Sequence, residues 1–260
     1  MPRRILCFGD SNTFGWIGRL DGPTRRFPSD IRWTGRLSAL LGADFEIIEE
    51  GLGGRTLRDH FTVGSGVSVP GAGLCGRDYL PACLLSHLPL DAVVIMLGSN
   101  DMKSALGHSE YDIAKGMAEL AAIVLSFPWE SLLDYPRPRL LIVSPPHIGD
   151  RKMELAGERY MDAPRKSRAL APLYMDLADR LNVSFRDAAS CLTDSPEGEA
   201  HGPDGMHLGE TDHEKLAIAI AEKLKGMLCG HEVALLALSS GIRFLAGRFQ
   251  SLSFVKEFET

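Results

Sequence analysis

Two of four short motifs combine the residue types that nucleophilic catalysis uses. Residues 9–11 (GDS) follow the first apolar run, and Asp204 lies three residues before His207 near the other end of the chain. A serine hydroxyl needs a base to take its proton, and a histidine paired with a carboxylate is such a base. We predict Ser11 as the nucleophile and His207 as the general base and later general acid. Asp204 would hold the imidazole tautomer and stabilise the imidazolium.

The other two motifs offer hydrogen-bond donors for a developing oxyanion. Residues 53–56 (GGRT) and 98–101 (GSND) each follow an apolar run of their own. Gly54 allows close approach of the backbone, and Asn100 supplies a neutral side-chain N–H. The glycine pair alone would fit a flexible turn, whereas an amide directly after a very apolar strand usually needs a partner. We predict that Gly54, Asn100 and the backbone N–H of Ser11 form an oxyanion hole.

Each motif taken alone has an ordinary structural explanation. Ser11 could simply cap the helix that follows it, because Ser and Asp are both good N-caps. Asp204-Gly205 is a favoured turn sequence. All four motifs lie at predicted strand ends, and this combination favours a serine hydrolase. His201 is a weaker competitor for the role of base, and we expect His108 and His213 to be exposed to solvent.

Further polar and aromatic residues lie near the motifs. Asp10, Asp101 and Asp187 are expected to hydrogen-bond loop backbone rather than take part in chemistry. Phe14 and Trp16 follow the predicted nucleophile, and they fit an acyl or aryl pocket and the hydrophobic core equally well. Apart from the Asp–His pair itself, no cluster of His, Asp, Glu or Cys has the spacing of metal ligands. We therefore expect neither a metal nor a cofactor.

Composition and charge are those of an ordinary globular protein. The chain has 260 residues, of which 45% are apolar and 24% charged, and its formal net charge is −6. The mean hydropathy is −0.02. This length suits one good-sized domain, and the acidic balance argues against a nucleic-acid partner.

Several features indicate a cytoplasmic location and no membrane partner. No run reaches the roughly 18 to 20 apolar residues of a membrane span. The apolar run at residues 5–8 is too short for the core of a signal peptide. The five cysteines are scattered and odd in number, which favours reduced thiols over a disulfide framework.

Short apolar runs alternate with segments of helical periodicity. The predicted strands are 4–8, 45–48, 91–97, 139–143 and 183–185; the predicted helices are 31–41, 111–125, 164–181 and 212–227, the last with a capping box from Thr211 and Glu214. The alternation implies βαβ units, a parallel sheet and a three-layer α/β/α sandwich. In such folds ligands bind at the carboxyl ends of the strands. Residues 64–76 are predicted to form a surface loop, and residues 145–163 a long connection that could cover the site.

The four motifs resemble the sequence blocks of the SGNH, or GDSL, hydrolases: Gly9-Asp10-Ser11, Gly54, Gly98-x-Asn100-Asp101 and Asp204-x-x-His207. Residues 4–11, 48–52, 95–98 and 143–146 are also similar to the small bacterial arylesterase/acyltransferase branch, and the resemblance covers about residues 3–227. It implies a five-stranded, flavodoxin-like sheet and a Ser-His-Asp esterase mechanism with Gly54 and Asn100 as oxyanion donors. It further implies homo-oligomers and acyl transfer to alcohols or peroxide in water.

The chain departs from this family pattern in three places. Asn12 stands where the family usually has leucine, and we expect this position to affect only the shape of the pocket. The connection 147–163 differs from the branch pattern and is expected to shape the acyl pocket and the subunit contacts. We predict a hydrolase domain over residues 1–227 and a C-terminal extension over residues 228–260. The apolar extension fits a docked helix, an oligomer contact or an appendage without a role equally well.

The sequence predicts a serine esterase that hydrolyses small acyl or aryl esters through an acyl-enzyme, with a small-molecule ester as its partner. An alternative with the same triad is a carbohydrate O-deacetylase. That enzyme would need polar sugar-binding side chains beside the site, whereas Phe14 and Trp16 favour an aryl or short acyl group. A catalytically inactive, flavodoxin-like binding module is a hypothesis of a different class, and the four intact motifs argue against it.

Overall fold

A parallel five-stranded sheet forms the centre of the protein. The computed structural model describes residues 1–18, 25–60, 74–192 and 198–239. The sheet strands are β1 (Arg3–Gly9), β4 (Phe45–Gly51), β5 (Ala92–Met96), β6 (Arg139–Ser144) and β7 (Ser184–Asp187). A separate antiparallel ribbon pairs β2 (Trp16–Ile17) with β3 (Arg25–Arg26).

The strand order brings the ends of β1, β4 and β5 together. The order is β4-β1-β5-β6-β7, and every pairing in this sheet is parallel. Counting only these five strands along the chain gives the flavodoxin-like order 2-1-3-4-5, whose ligands bind at the switch point beside the first strand. Gly9 pairs with both Gly51 and Met96. The segments that follow these residues therefore emerge side by side.

Helices cover both faces of the sheet. Because successive residues of a strand point to opposite faces, Leu6 and Phe8 pack into one core and Ile5 and Cys7 into the other. The first core contains side chains from helices Gly76–Ser86, Glu110–Ser126 and Ala163–Leu181, and the second contains side chains from Trp33–Leu41 and Glu210–Ser239. Shorter helices are Ser11–Phe14, Trp129–Leu133 and Asp150–Ala156, and 3₁₀ turns are Asn100–Met102, Ser104–Leu106, Gly157–Tyr160 and Ala189–Cys191.

The predicted three-layer α/β/α sandwich is confirmed, and two local predictions are wrong. The final helix begins at Glu210, so Thr211 does not cap it. Instead the Asp212 carboxylate accepts from the backbone N–H of Gly209 at 2.8 Å, just before the helix. The second error concerns the end of that helix, which lies at Ser239 rather than near residue 227. The predicted connection 145–163 contains helix Asp150–Ala156 and the 3₁₀ turn Gly157–Tyr160.

Parts of two other predictions lie outside the described residues. The predicted loop 64–76 falls mostly on residues 61–73, and Gly76 already begins a helix. The chain divides into two compact units, Met1–Leu228 and Cys229–Thr260. The role of the extension 228–260 stays a prediction. None of the described helices combines the length and apolar character that crossing a membrane requires.

Candidate active site

Ser11 lies at the carboxyl end of β1, at the switch point of the sheet. The strand ends at Gly9, and one helical turn, Ser11–Phe14, begins after Asp10. The Asp10 carboxylate caps this turn by accepting from the backbone N–H of Asn12 at 2.9 Å. A helix dipole is the sum of aligned peptide dipoles. Because this helix has four residues, its individual N–H groups matter more than a macrodipole.

His207 hydrogen-bonds both of the partners predicted for it. Its Nε2 lies 2.9 Å from Ser11 Oγ, and its Nδ1 lies 2.7 Å from Asp204 Oδ2. The other carboxylate oxygen of Asp204 accepts from the backbone N–H groups of Met206 at 3.2 Å and His207 at 3.0 Å. Asp204 therefore fixes the loop as well as the ring. A carboxylate at Nδ1 favours the tautomer whose Nε2 lone pair faces the serine hydroxyl.

Asp204 is held in its ionised form despite its burial. Burial by itself would raise the pKa of this carboxyl, but the hydrogen bond and charge of His207 and the charge of Lys152 lower the pKa well below its usual range. Lys152 Nζ lies 2.9 Å from Asp204 Oδ2, the oxygen that also faces His207 Nδ1. Lys152 lies in the covering connection, and its contact with Asp204 was not among the predictions.

The side-chain amide of Asn12 binds the backbone on both sides of His207. Its Nδ2 donates to the carbonyl oxygen of Met206 at 3.3 Å, and its Oδ1 accepts from the N–H of Leu208 at 3.0 Å. Asn12 is buried and connects the turn that carries Ser11 to the loop that carries His207. The expectation that Asn12 affects only pocket shape is therefore wrong. A polar residue next to the predicted nucleophile, where leucine is usual, was the signal that could have revealed it.

The predicted oxyanion donors lie at the ends of the neighbouring strands. Gly54, in the turn after β4, has a φ of +85°, a region that glycine adopts without strain. Asn100 begins the 3₁₀ turn after β5, and its Nδ2 donates to the backbone oxygen of Arg55 at 3.1 Å. A carboxamide nitrogen has two N–H groups, so the second can serve a ligand. Gly54 and Asn100 line the same cavity as Ser11 and His207.

A buried arginine, also absent from the predictions, fixes the backbone around these donors. Arg55 Nη1 donates to the carbonyl oxygen of Gly9 at 3.0 Å and also to that of Glu50. The guanidinium lies 4.2 Å from the centre of the Phe8 ring. Arg55 thus joins the ends of β1 and β4, and its own carbonyl accepts from Asn100.

The remaining aspartates near the strand ends hydrogen-bond loop backbone, as predicted. Asp101 Oδ1 accepts from the backbone N–H of Leu57 at 2.9 Å. Burial raises the pKa of Asp101 to about 7, although the bond from Leu57 opposes this change. Asp187 Oδ1 accepts from the backbone N–H of Ala189 at 3.1 Å and from the hydroxyl of Ser144 at 2.9 Å.

Four other described histidines have carboxylate partners of their own, and two of these, His201 and His108, were the subject of predictions. His201, the predicted competitor for the role of base, lies with its Nδ1 2.5 Å from Asp212 Oδ1. His108 is partly buried, so the expectation that it is exposed is wrong, and its Nε2 lies 2.8 Å from Asp59 Oδ2. Neither lines the cavity beside Ser11.

His213 is fully buried, so the expectation that it is exposed is wrong. Its Nδ1 accepts from the backbone N–H of Trp33 at 3.2 Å, and its ring meets the Phe27 ring edge-on at 5.3 Å. Burial, followed by the positive charges of Arg36, Arg32 and His207, lowers the pKa of His213 from 6.5 to about 3. His213 is therefore neutral near pH 7.

A cavity of about 360 Å³ opens beside the Ser11 hydroxyl. Phe14 and Trp16 both line it and both remain partly exposed, so they face the cavity rather than the core. The Trp16 ring lies 6.3 Å from the His207 ring, with 29° between the two planes. All predicted site residues except Asp204 line this cavity, and Asp204 lies behind His207.

Two clusters of potential metal ligands lie elsewhere in the described residues, Glu50-Cys83-His87 and His60-Cys75-Asp78. Burial and the nearby Glu50 raise the pKa of the Cys83 thiol to about 12, and burial also raises the pKa of Cys75. A protonated thiol is a poor metal ligand. The guanidinium of Arg55, 4.0 Å from Glu50, already supplies positive charge to the first cluster. We assign no metal to either cluster.

Comparisons with known proteins agree with this geometry. A profile of the GDSL-like lipase/acylhydrolase family matches residues 7–215, and a search of curated proteins found no match. The chain is similar to the solved structure of an aryl esterase from M. smegmatis, with 41% identity, a TM-score of 0.76, and coverage of 87% of this chain and 100% of that one. It is also similar to a carbohydrate acetylesterase from Sinorhizobium meliloti, with 38% identity, a TM-score of 0.76, and coverage of 86% and 99%.

The family match and the two structural relatives extend well beyond the motifs. The profile covers most of the chain, and both relatives are covered over nearly their whole length. In this chain the parallel sheet of that fold carries the hydrogen-bonded residues Ser11, His207 and Asp204. The chain therefore belongs to the GDSL-like lipase/acylhydrolase family, also called the SGNH hydrolases.

Proposed function

We propose that this hydrolase is a serine esterase that cleaves small acyl or aryl esters through an acyl-enzyme. The observation that carries the proposal is the continuous hydrogen-bonded line from Ser11 Oγ through His207 to Asp204 at the edge of a cavity. This arrangement has the donor and acceptor order that acyl transfer by a serine requires.

In the first half-reaction Ser11 Oγ attacks the ester carbonyl carbon while His207 Nε2 takes the hydroxyl proton. Negative charge develops on the former carbonyl oxygen, where the N–H groups of Gly54 and Asn100 would stabilise it. The bond from the carbon to the leaving oxygen then breaks. Protonated His207 gives its proton to that oxygen, so an alcohol or phenol leaves and an acyl-serine remains.

In the second half-reaction water attacks the acyl-serine while His207 takes one of its protons. The tetrahedral species collapses, His207 returns the proton to Ser11 Oγ, and the carboxylic acid leaves. An alcohol or peroxide in place of water would give acyl transfer by the same steps. We include this transfer in the proposal because of the resemblance to the arylesterase/acyltransferase branch.

The apolar part of the cavity supports an acyl or aryl substrate. Phe14, Trp16, Leu52 and Leu74 line it beside the catalytic groups, and aromatic faces favour flat or short apolar groups. A carbohydrate O-deacetylase with the same triad is the second candidate, favoured by the similarity to the carbohydrate acetylesterase from Sinorhizobium meliloti. Aryl, alkyl and sugar acetates offered to one purified sample would rank the two candidates.

A serine-reactive phosphonate probe tests the enzymatic proposal directly. The wild-type protein should be labelled at a single residue, and Ser11→Ala should lose both the label and ester turnover. Absence of labelling and of turnover in folded wild-type protein would contradict the proposal and favour the inactive binding module. Ser190→Ala is a matched control, because Ser190 is exposed, does not line the cavity, and donates to the carbonyl of Asp187 at 2.8 Å.

The remaining proposals concern the location, oligomeric state, partner and domain boundary of the protein. We propose a cytoplasmic homo-oligomer whose partner is a small ester, with neither nucleic acid nor a membrane involved and with residues 1–227 as the catalytic domain. Light scattering of the full chain tests the oligomer, since a monomeric mass at the working concentration would exclude it. Truncation after Met227 tests the domain boundary, and loss of esterase activity in folded truncated protein would contradict it.

A further inference from the structure

The catalytic cavity is lined by three basic side chains. Lys103, Lys152 and Arg159 all line it, and none of the described residues that line it is an aspartate or a glutamate. The protein as a whole has a formal net charge of −6. The cavity is therefore basic although the protein as a whole is acidic. An uncharged acyl or aryl group would not require these basic side chains.

The three charges lie at different depths. Lys103 is 2% exposed and follows the 3₁₀ turn that begins at Asn100. Arg159 is exposed, in the turn Gly157–Tyr160 of the covering connection. Lys152 lies 2.9 Å from Asp204, so its charge is already matched by a carboxylate. Arg159 makes no ion pair with any of the described residues.

These side chains are close enough to affect one another. Burial lowers the pKa of Lys103 to about 8, and the positive charges of Arg159 and Lys152 add to this effect, while Asp101 and Asp10 oppose it. Like charges held together repel. A ligand with negative charge would relieve this repulsion and would favour the protonated amine. The buried amine and the exposed guanidinium both line the cavity, so both are placed to contact such a ligand.

We propose that the ester taken by this cavity has a carboxylate or another anionic group, which Arg159 binds near the opening and Lys103 binds deeper inside. This inference rests on the proposed esterase function and narrows its substrate class. A charge-assisted hydrogen bond contributes enough to change affinity by about tenfold or more. The anionic ester should therefore be preferred over its uncharged counterpart by about that factor.

Matched ester pairs test the preference and locate the charge. In the first pair the leaving group varies, with 4-acetoxybenzoate compared with its methyl ester. In the second the acyl group varies, with 4-nitrophenyl hydrogen glutarate compared with its methyl ester. In at least one pair the anionic ester should have the higher kcat/KM, by about tenfold. The pair that shows this preference identifies whether the charge belongs on the leaving group or on the acyl group. Added NaCl should reduce that preference, because salt screens an exposed charge such as that of Arg159.

Variants test the two residues. Arg159→Gln and Lys103→Met should each reduce the anionic-to-neutral ratio of kcat/KM about tenfold. Arg180→Gln removes the same charge from an exposed position outside the cavity, where Arg180 pairs with Asp176, and it should leave the ratio unchanged. If Lys103→Met does not fold, the Arg159→Gln variant and the matched ester pairs measured on the wild-type protein still test the anionic preference.

The outcomes separate this inference from the proposed function. Turnover of neutral esters with no anionic preference would leave the esterase proposal intact and overturn this inference. A wild-type preference that Arg159→Gln and Lys103→Met both retain would also overturn it. Folded wild-type protein that cleaves none of the four esters would instead contradict the esterase proposal, and this inference would fail with it.

Discussion

Asn12 bonds the backbone at Met206 and at Leu208, so the loop that carries the base between them is held by Asn12 as well as by Asp204. A misplacement of about 1 Å in a catalytic group can reduce a rate about 10²-fold. These two hydrogen bonds join segments nearly two hundred residues apart in the chain. Asn12 is therefore a positioning residue, which acts on the reaction through His207.

We expect Asn12→Leu to lower kcat by about tenfold or more while KM changes by less than about threefold. Leucine has the family's usual shape here, but it leaves the Leu208 N–H and the Met206 carbonyl without their partner. Steady-state kinetics on a neutral aryl acetate measures both constants, and thermal unfolding shows whether the variant is folded. Asn12→Asp keeps the oxygen that accepts from Leu208, so its kcat should lie between those of Asn12→Leu and the wild-type protein. A normal kcat in folded Asn12→Leu would exclude the positioning role.

Asn100→Ala should lower kcat about 10²- to 10³-fold and raise KM far less, because an oxyanion gains more from the amide than a ground-state carbonyl does. The variant also loses the bond to the Arg55 carbonyl. Urea unfolding measures that structural cost separately. A change in KM alone would assign Asn100 to substrate binding and remove it from the oxyanion hole.

The connection between β6 and helix Ala163–Leu181 brings positive charge to the triad. Helix Asp150–Ala156 carries Lys152, whose Nζ lies 5.4 Å from the centre of the Tyr160 ring as well as 2.9 Å from Asp204. Lys152 and His207 share one carboxylate oxygen. The charge of Lys152 therefore opposes protonation of His207, and the covering connection affects the base as well as the cavity.

We expect Lys152→Met to move the acid limb of the kcat/KM profile to higher pH. Without the lysine, the full charge of Asp204 favours the protonated ring, which cannot accept the Ser11 proton. The profile should be measured with an uncharged ester. Lys115→Met is the control, because it removes an exposed lysine from helix Glu110–Ser126 and should not move the limb. A shift to lower pH, or none, would contradict the assignment.

Some elements could be predicted from sequence because local pattern determines them. β5 is a continuous apolar run, as expected of a parallel strand buried on both faces. The end of β4 was missed, since Glu49 and Glu50 do not look like strand residues. Their carboxylates pair with Arg32 at 2.9 Å and His87 at 2.9 Å, which are distant contacts that no local pattern contains.

In the candidate site, too, local motifs could be predicted from sequence and distant contacts could not. Ser11, Gly54, Asn100 and His207 were predictable, because each belongs to a motif at the end of a strand or just before a helix. The contacts of Asn12 and Lys152 were not, since both depend on where the His207 loop lies against other segments. His213 was misjudged for a related reason: its burial comes from packing against Trp33 and Phe27.

His213 links the folding stability of the protein to pH. It lies on the final helix and binds the first residue of helix Trp33–Leu41, within the core on one face of the sheet. Arg32, Arg36 and His207 contribute positive charge around it. Protonating this ring in the folded protein would place a charge where burial and three cationic neighbours oppose it.

We expect His213→Asn to make stability less dependent on pH between about 6.5 and 3. The pKa of His213 falls from 6.5 to about 3 on folding, so the unfolded chain binds the extra proton in that window. Stability is then lost as pH decreases, by up to about 1.4 kcal/mol per pH unit. Asparagine Oδ1 can still accept from Trp33 N–H but does not titrate, so the variant should lose less stability on acidification. Asparagine also lacks the ring that packs against Phe27, so the variant should be less stable at pH 7. Urea unfolding of both proteins at pH 7, 6, 5 and 4 measures the two slopes, and equal slopes would show that His213 is not the group responsible.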